Sequence, residues 1–221
     1  MDLVEAITKR RSISQFQPRD VDRKVIDHLI ETSGFTPSSC NTQPWFYLIF
    51  DSNESKRRLN EYVDEGYQET KKVLKERHKL TWPIYAKALE VFSEYGKFDH
   101  APAQILLFAR PYDAAFLSQL IKISGESEIE RISQDSVKTS AAMSMNSFVL
   151  LAHSLNLGTR VKDGVKFMIE HPELRARFYR EFDVPNEFEL VSGIQLGYPT
   201  SKALERKAHK RKPLEVTRRY V

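Results

Sequence analysis

The sequence predicts an α+β fold built as a single domain over residues 1–221. Apolar and aromatic runs at 45–50, 104–109 and 190–198 read as strands, but the helical stretches between them are unequal in number and length. Such a pattern does not give the regular strand–helix alternation of a doubly wound sheet. A helix over 137–155 carries Ala141, Ala142, Met145, Val149 and Ala152 along one face, small residues that let another backbone approach closely. No spacing of the eight glycines gives GxGxxG or a P-loop, so the usual nucleotide frameworks are excluded.

Taken in order, residues 3–9 form a short helix with Leu3, Ala6 and Ile7 on one side and basic residues at its end. Asp20 or Asp22 caps a second helix in which Val25, Ile26, Leu29 and Ile30 make an i, i+3, i+4 stripe, and Gly34 stops it. A polar loop with two prolines, 36–44, leads into Trp45-Phe46-Tyr47-Leu48-Ile49-Phe50, aromatic and β-branched as a buried strand should be. Residues 53–98 are charged and helical, with Trp82, Tyr85, Phe92, Tyr95 and Phe98 in the second half. They read as an exposed helical excursion, either a lid or a peripheral layer without a role in the chemistry. Residues 111–135 give no clear pattern. Asn156-Leu157-Gly158 ends the long helix, and a helix near 172–181 precedes the last strand.

Composition narrows the class. Hydrophobic residues are 41% and charged residues 29%, ordinary for a globular chain. The net charge of +4 comes largely from a basic C-terminal arm over about 200–221, with Lys202, Arg206, Lys207, Lys210, Arg211, Lys212, Arg218 and Arg219. Such an arm suits nucleic acid, membrane phosphate, a phosphorylated cofactor or plain solvation, and charge does not choose among them. No recognisable nucleic-acid module accompanies it. Cys40 is the single cysteine, which fits a reducing compartment. The apolar stretches are too short to span a bilayer, and a cytoplasmic protein is expected. The six histidines form no ligand pair, so no metal site is expected.

Two segments carry candidate chemistry. Arg10-Arg11-Ser12 offers two guanidinium forks and a hydroxyl, the groups that match phosphate oxygens; the same charges also suit a helix C-terminus. The loop Pro37-Ser38-Ser39-Cys40-Asn41-Thr42-Gln43-Pro44 is dense in hydroxyls and amides beside Trp45. It suits a flat heterocycle with several N and O atoms, or an ordinary turn that satisfies its own backbone.

These two segments closely resemble the N-terminal motifs of the nitroreductase family. Asn146 to Thr159 resembles its central-helix motif, Ile194 to Pro199 its last strand, and Lys210-Arg211-Lys212-Pro213-Leu214-Glu215 its basic tail. The resemblance spans nearly the whole chain. It implies a central, mostly antiparallel sheet flanked by helices in an intertwined homodimer, with FMN held between subunits. It also implies hydride transfer from NADH or NADPH through FMN to a nitroaromatic, quinone or related small-molecule acceptor, in a ping-pong cycle. By position, Arg10, Arg11 and Ser12 would meet the phosphate, ribityl chain and pyrimidine edge, with Arg211 completing the phosphate site. Pro37, Ser38, Ser39 and Asn41 would approach the same flavin from the other subunit. Asp163 and Gly164 fall where the family often has a glycine pair near flavin N5 and O4. No acid–base residue is assigned to the hydride step.

Three positions depart from the family pattern. Ser14 replaces the Arg or Lys that reaches flavin O2, His209 stands where a Lys is common, and Arg160-Val161-Lys162-Asp163 replaces an apolar turn. These differences leave room for a narrower flavin task, reductive dehalogenation or enone reduction, or for a non-catalytic flavin-binding protein.

Overall fold

A computed structural model describes residues 1–79, 81–98, 101–111, 126–205 and 211–219. Its elements run α1 (Leu3–Lys9), α2 (Arg23–Ser33), a 3₁₀ turn (Ser39–Asn41), β1 (Trp45–Phe50), α3 (Asn53–Arg77), α4 (Trp82–Gly96) and β2 (Ala103–Ala109). They continue with α5 (Glu126–Ser154), β3 (Gly158–Lys162), α6 (Gly164–Ile169), α7 (Pro172–Glu181), β4 (Glu189–Gly197), α8 (Ser201–Leu204) and α9 (Leu214–Thr217). The four strands form one antiparallel sheet in the order β1-β2-β4-β3, flanked by helices, and the fold is α+β.

Strand β2 is paired on both sides and buried along its whole length. Alternation sends successive side chains to opposite faces. Ile105 and Leu107, with Tyr47 of β1 and Ile194 and Leu196 of β4, join Val137, Ala141, Phe148, Val149 and Ala152 of α5 and Ile26 and Leu29 of α2. Leu106 and Phe108, with Phe50 and Leu190, meet Leu59, Tyr62 and Val63 of α3, Val165 and Ile169 of α6, and Leu174, Phe178 and Tyr179 of α7. Each fully buried Leu or Phe contributes roughly 1.5–3 kcal/mol.

The helix ends follow local chemistry. Asp2 caps α1 by accepting from Glu5 N–H at 2.8 Å, and Asp22, the second of the two candidate caps, accepts from Lys24 N–H at 2.8 Å. Gly34 does end α2, in a right-handed conformation that any residue can adopt. Helix α5 closes with Asn156 left-handed at φ 60, Leu157 N–H donating to Ala152 O and Asn156 N–H to His153 O. That is a Schellman ending with asparagine in the glycine position.

The structure corrects several sequence readings. Helix α5 begins at Glu126, eleven residues before the expected start, because its early buried positions are Ser133 and Val137, a face too polar to show periodicity. The stretch Arg160-Val161-Lys162 is strand β3 rather than a turn; its charges disguise a short strand paired to β4. The expected excursion is helical, but α3 buries Leu59, Tyr62, Val63 and Gly66 in the core, so its first half is a structural layer. On α1, only Ala6 is buried, and Leu3 and Ile7 are exposed.

Helices α3 and α7 are clamped by charge. Arg58 donates to both carboxylate oxygens of Glu181 at 2.8 and 2.7 Å, Tyr62 donates to Glu181 at 2.6 Å, and Arg177 donates to Glu65 at 2.9 and 2.6 Å. The Arg58 guanidinium first, then the Tyr62 hydroxyl, hold the Glu181 carboxyl below its usual range. A lowered folded pKa adds stability that is complete above the unfolded value of about 4.3 and is lost as pH falls through the folded one. Glu181→Gln should therefore lower the urea midpoint at pH 7 and have a smaller effect near pH 3; an equal effect at both would remove this carboxylate from the acid response. A second test concerns packing. A methyl group on Gly193 would run into Phe98 Cζ and Val165 Cγ1. Gly193→Ala should cost about 1–3 kcal/mol by overpacking in equilibrium unfolding, and an unshifted midpoint would show that Phe98 yields freely.

Candidate functional site

The first candidate segment leaves α1 at Arg10, whose N–H donates to Ala6 O, and runs alongside the outer edge of β3. Ser12 bridges to Thr159 in parallel, and Ile13 N–H donates to Thr159 O at 2.9 Å. Arg10, Arg11 and Ser14 are half-buried and Ser12 is exposed. A cleft of about 320 Å³ opens here, lined by Lys9, Arg11, Ile13, His153, Asn156, Leu157, Gly158, Pro199 and Leu204. Alternate residues of the segment, Lys9, Arg11 and Ile13, enter it. Lys9 is paired with Glu5 at 2.6 Å. His153 Nε2 is buried with no hydrogen-bond partner. Burial, then the charge of Arg10, hold the imidazole below its usual range, with Glu5 acting in the opposite sense.

The second segment is fastened to the middle of α5. Thr36 and Ser147 share a hydroxyl–hydroxyl bond of 2.7 Å, and Ser39 N–H donates to Ser140 Oγ at 3.4 Å. The adjoining strand is tied to the same helix: the hydroxyls of Tyr47 and Ser144 lie 2.8 Å apart, and Ser144 Oγ donates to Ser33 O at 3.4 Å. Within the loop, Gln43 N–H donates to Ser38 Oγ at 3.0 Å, and Gln43 Nε2 to Asn41 Oδ1 at 3.2 Å. Cys40, Asn41 and Gln43 are all left-handed, at φ 52, 53 and 44. Three such non-glycine residues in four positions hold the turn in a costly shape that its hydrogen bonds and its helix must maintain. Pro37 and Asn41 are exposed, and Ser38 and Ser39 are half-buried.

At the third location, Asp163 follows β3 and Gly164 opens α6. Buried Ser192 on β4 donates to Asp163 Oδ1 at 2.8 Å, fixing the carboxylate against the sheet. Lys162, immediately before it, is itself buried.

The chain brings Arg10, Arg11 and Ser12 together at one end of α5 and along β3, with Asp163 and Gly164 at that strand's far end. It does not bring the 37–44 loop to them. His153, beside Arg10, and Ser140, under the loop, are 13 residues apart on one helix, about 20 Å along its axis. Arg211 is exposed. His209 lies outside the described residues. Sequence reasoning passed over His153, which appears there as one of six scattered histidines, and Thr159, whose pairing role shows only once β3 exists.

Comparison with known proteins places this geometry. The chain is 28% identical over 194 residues to iodotyrosine deiodinase of Danio rerio, covering 88% of this chain and 59% of that protein, so it spans about three fifths of that relative's length. Its fold matches that of a BluB-like flavoprotein from Clostridium difficile 630, with a TM-score of 0.81, 22% identity, and coverage of 100% of this chain and 99% of the other. It also matches a nitroreductase with bound FMN from Bacteroides fragilis NCTC 9343, with a TM-score of 0.69, 16% identity, and coverage of 100% and 99%. The sequence profile described as the nitroreductase family matches residues 7–198, and with the antiparallel sheet and its helical layers in place, the chain belongs to the nitroreductase family.

Proposed function

We propose that the protein is an FMN-dependent oxidoreductase that works as a homodimer. The observation that carries this reading is the separation of the two polar motifs along α5. About 20 Å apart in one chain, they meet around one ligand only if a second copy supplies the other half. Exposed apolar residues support that second copy: Leu3, Val4 and Ile7 on α1, Met143 on α5 and Leu155 just beyond its end. Apolar surface gathered on touching helices marks an association face, and a two-fold axis would present it to itself.

The residues fit the cofactor. Among the described residues, the lining of the cleft at the α1 end has Lys9, Arg11 and His153 and no acidic side chain, with Glu5 paired to Lys9 at its rim. Arg10, Arg11 and Ser12 would hold the phosphate and ribityl end, with Arg211 and His209 of the basic arm closing over it. The strained loop of the second copy, Pro37, Ser38, Ser39 and Asn41, would offer hydroxyl and amide groups to the heterocycle. Ser14 and the backbone N–H groups at Asp163 and Gly164 would border the ring. When bound, FMN supplies two-electron chemistry, with hydride from NADH or NADPH and reducing equivalents out to an acceptor.

Helices α3 and α4 would shape the acceptor side. Tyr85 stacks on His78 at 4.4 Å, and Ile84 and Val91 are exposed on α4, an apolar surface that a bound aromatic acceptor would cover. A nitroaromatic or quinone fits this surface. The Danio rerio relative's name favours a second reading, reductive removal of halide from an aromatic substrate.

Two experiments test these readings. Arg211→Ala should reduce the FMN content of the purified protein several-fold without changing the unfolding midpoint measured on flavin-stripped protein; full flavin content would remove Arg211 from the site. A screen of NADH and NADPH oxidation with a nitroaromatic, a quinone and a halogenated tyrosine should show acceleration by at least one acceptor. Tyr85→Ala should shift the preference among them. Halide release only from the third would select dehalogenation, and no acceleration by any would leave a flavin carrier.

A further inference from the structure

We infer that Ser147 of α5 is a positioning residue for the flavin: its bond to Thr36 holds the turn over 37–43 in the shape that receives the ring. The inference rests on the FMN reading above, and its first measurement is made without flavin.

The turn needs holding. Cys40, Asn41 and Gln43 are left-handed at φ 52, 53 and 44, a region that non-glycine residues occupy only under constraint. Gln43 also precedes Pro44, a position that favours φ near about −120°. The turn's own bonds are short-range. Asn41 N–H donates to Ser38 O at 3.0 Å, Thr42 N–H to Ser39 O at 3.1 Å, and Gln43 N–H to Ser38 Oγ at 3.0 Å. Such bonds fold a segment onto itself without fixing where it stands on the protein.

Its two ends are anchored by different means. The exit is held by main chain: Arg110 N–H donates to Pro44 O at 3.1 Å, and Trp45 pairs with Ala109. The entry is held by side chains of α5. Ser144 Oγ donates to Ser33 O at 3.4 Å, Ser39 N–H donates to Ser140 Oγ at 3.4 Å, and the hydroxyls of Thr36 and Ser147 lie 2.7 Å apart. The last bond is the shortest of the three. It joins two half-buried side chains directly before Pro37, where the residues assigned to the ring begin.

A turn released at its entry exchanges the strained shape for relaxed ones. Flavin affinity then falls with the fraction still in the receptive shape. The loop is assigned to the ring rather than the phosphate, so FMN and riboflavin, which share that ring, should weaken alike.

The test compares wild type, Ser147→Ala, Ser147→Thr, Thr36→Val and the Ser147→Ala/Thr36→Val double variant. Native-state hydrogen exchange on flavin-stripped protein should be roughly three- to tenfold faster at the Thr42 and Gln43 amides in Ser147→Ala, as for one lost neutral hydrogen bond, and unchanged at Ile105 and Leu107 of β2. Dissociation constants for FMN and riboflavin, measured by fluorescence quenching, should rise by a similar factor. Ser147→Thr keeps the hydroxyl and should restore both readouts, and the double variant should be no worse than either single one. Unchanged exchange at the turn overturns the inference, as does exchange that quickens equally in β2, which marks a general loss of stability. Faster exchange at the turn with unaltered flavin affinity overturns the link to the flavin. Wild type that binds neither flavin overturns the FMN reading itself.

Discussion

Strand β2 has neighbours on both edges and helices on both faces, and the rest of the molecule is arranged by that burial. Ile105 and Leu107 are committed to the α5 side, Leu106 and Phe108 to the α3, α6 and α7 side. A one-residue slip would exchange the two sets and drive each into a layer shaped for the other, so the register is fixed by packing. The one irregularity lies opposite the β2 pair Leu107–Phe108, where Val191 is the extra residue of β4. Ser192, in unbroken register with Gly193–Leu196 and opposite Leu107, stands on the α5 side, within hydrogen-bonding reach of Asp163. The site's far end is therefore a consequence of strand geometry in the core.

Helix α5 converts this core into a ruler. Its buried serines Ser140 and Ser144 and its half-buried Ser147 take up the loop, the strand and the end of α2 at successive turns, while His153 and the Asn156 ending meet α1. Small hydroxylated residues do two things at once. They permit close approach, and they satisfy polar groups that the approach would otherwise bury unpaired. On the proposed reading, that fixed spacing leaves a second copy to complete each site.

Legibility in the sequence follows the same physics. Strands β1 and β2 were readable as apolar and aromatic runs, β2 being buried along its whole length, β4 from Leu190, Val191, Ile194 and Leu196, and α2 because one face is buried and the other wet. β3 was not readable: Arg160 and Lys162 interrupt it, and its strand character comes from pairing with β4. The early turns of α5 and the place of Gly66 in the buried side of α3 were hidden for a related reason. Ser133 and Gly66 pack by being small, which a hydrophobic pattern does not register. The site motifs were visible as residue types, and the loop's stiffness was anticipated from its prolines, yet the strain resides at Cys40, Asn41 and Gln43. What no single-chain pattern carries is the distance between the motifs.

On the proposed reading, charge is distributed unequally along the site. Lys9, Arg10, Arg11 and His153 gather at the α1 end, where a phosphate would lie. At the other end of β3 stands a carboxylate at Asp163. Ser192 draws that carboxylate toward the α5 side, while Gly164 turns the chain into α6 on the opposite face. The bond directs one lone pair away from the ring border and leaves the backbone N–H groups there as the donors. A reduced flavin carries negative charge on its pyrimidine, and on this reading those donors, with the buried Lys162 next to Asp163, would be the groups that answer it.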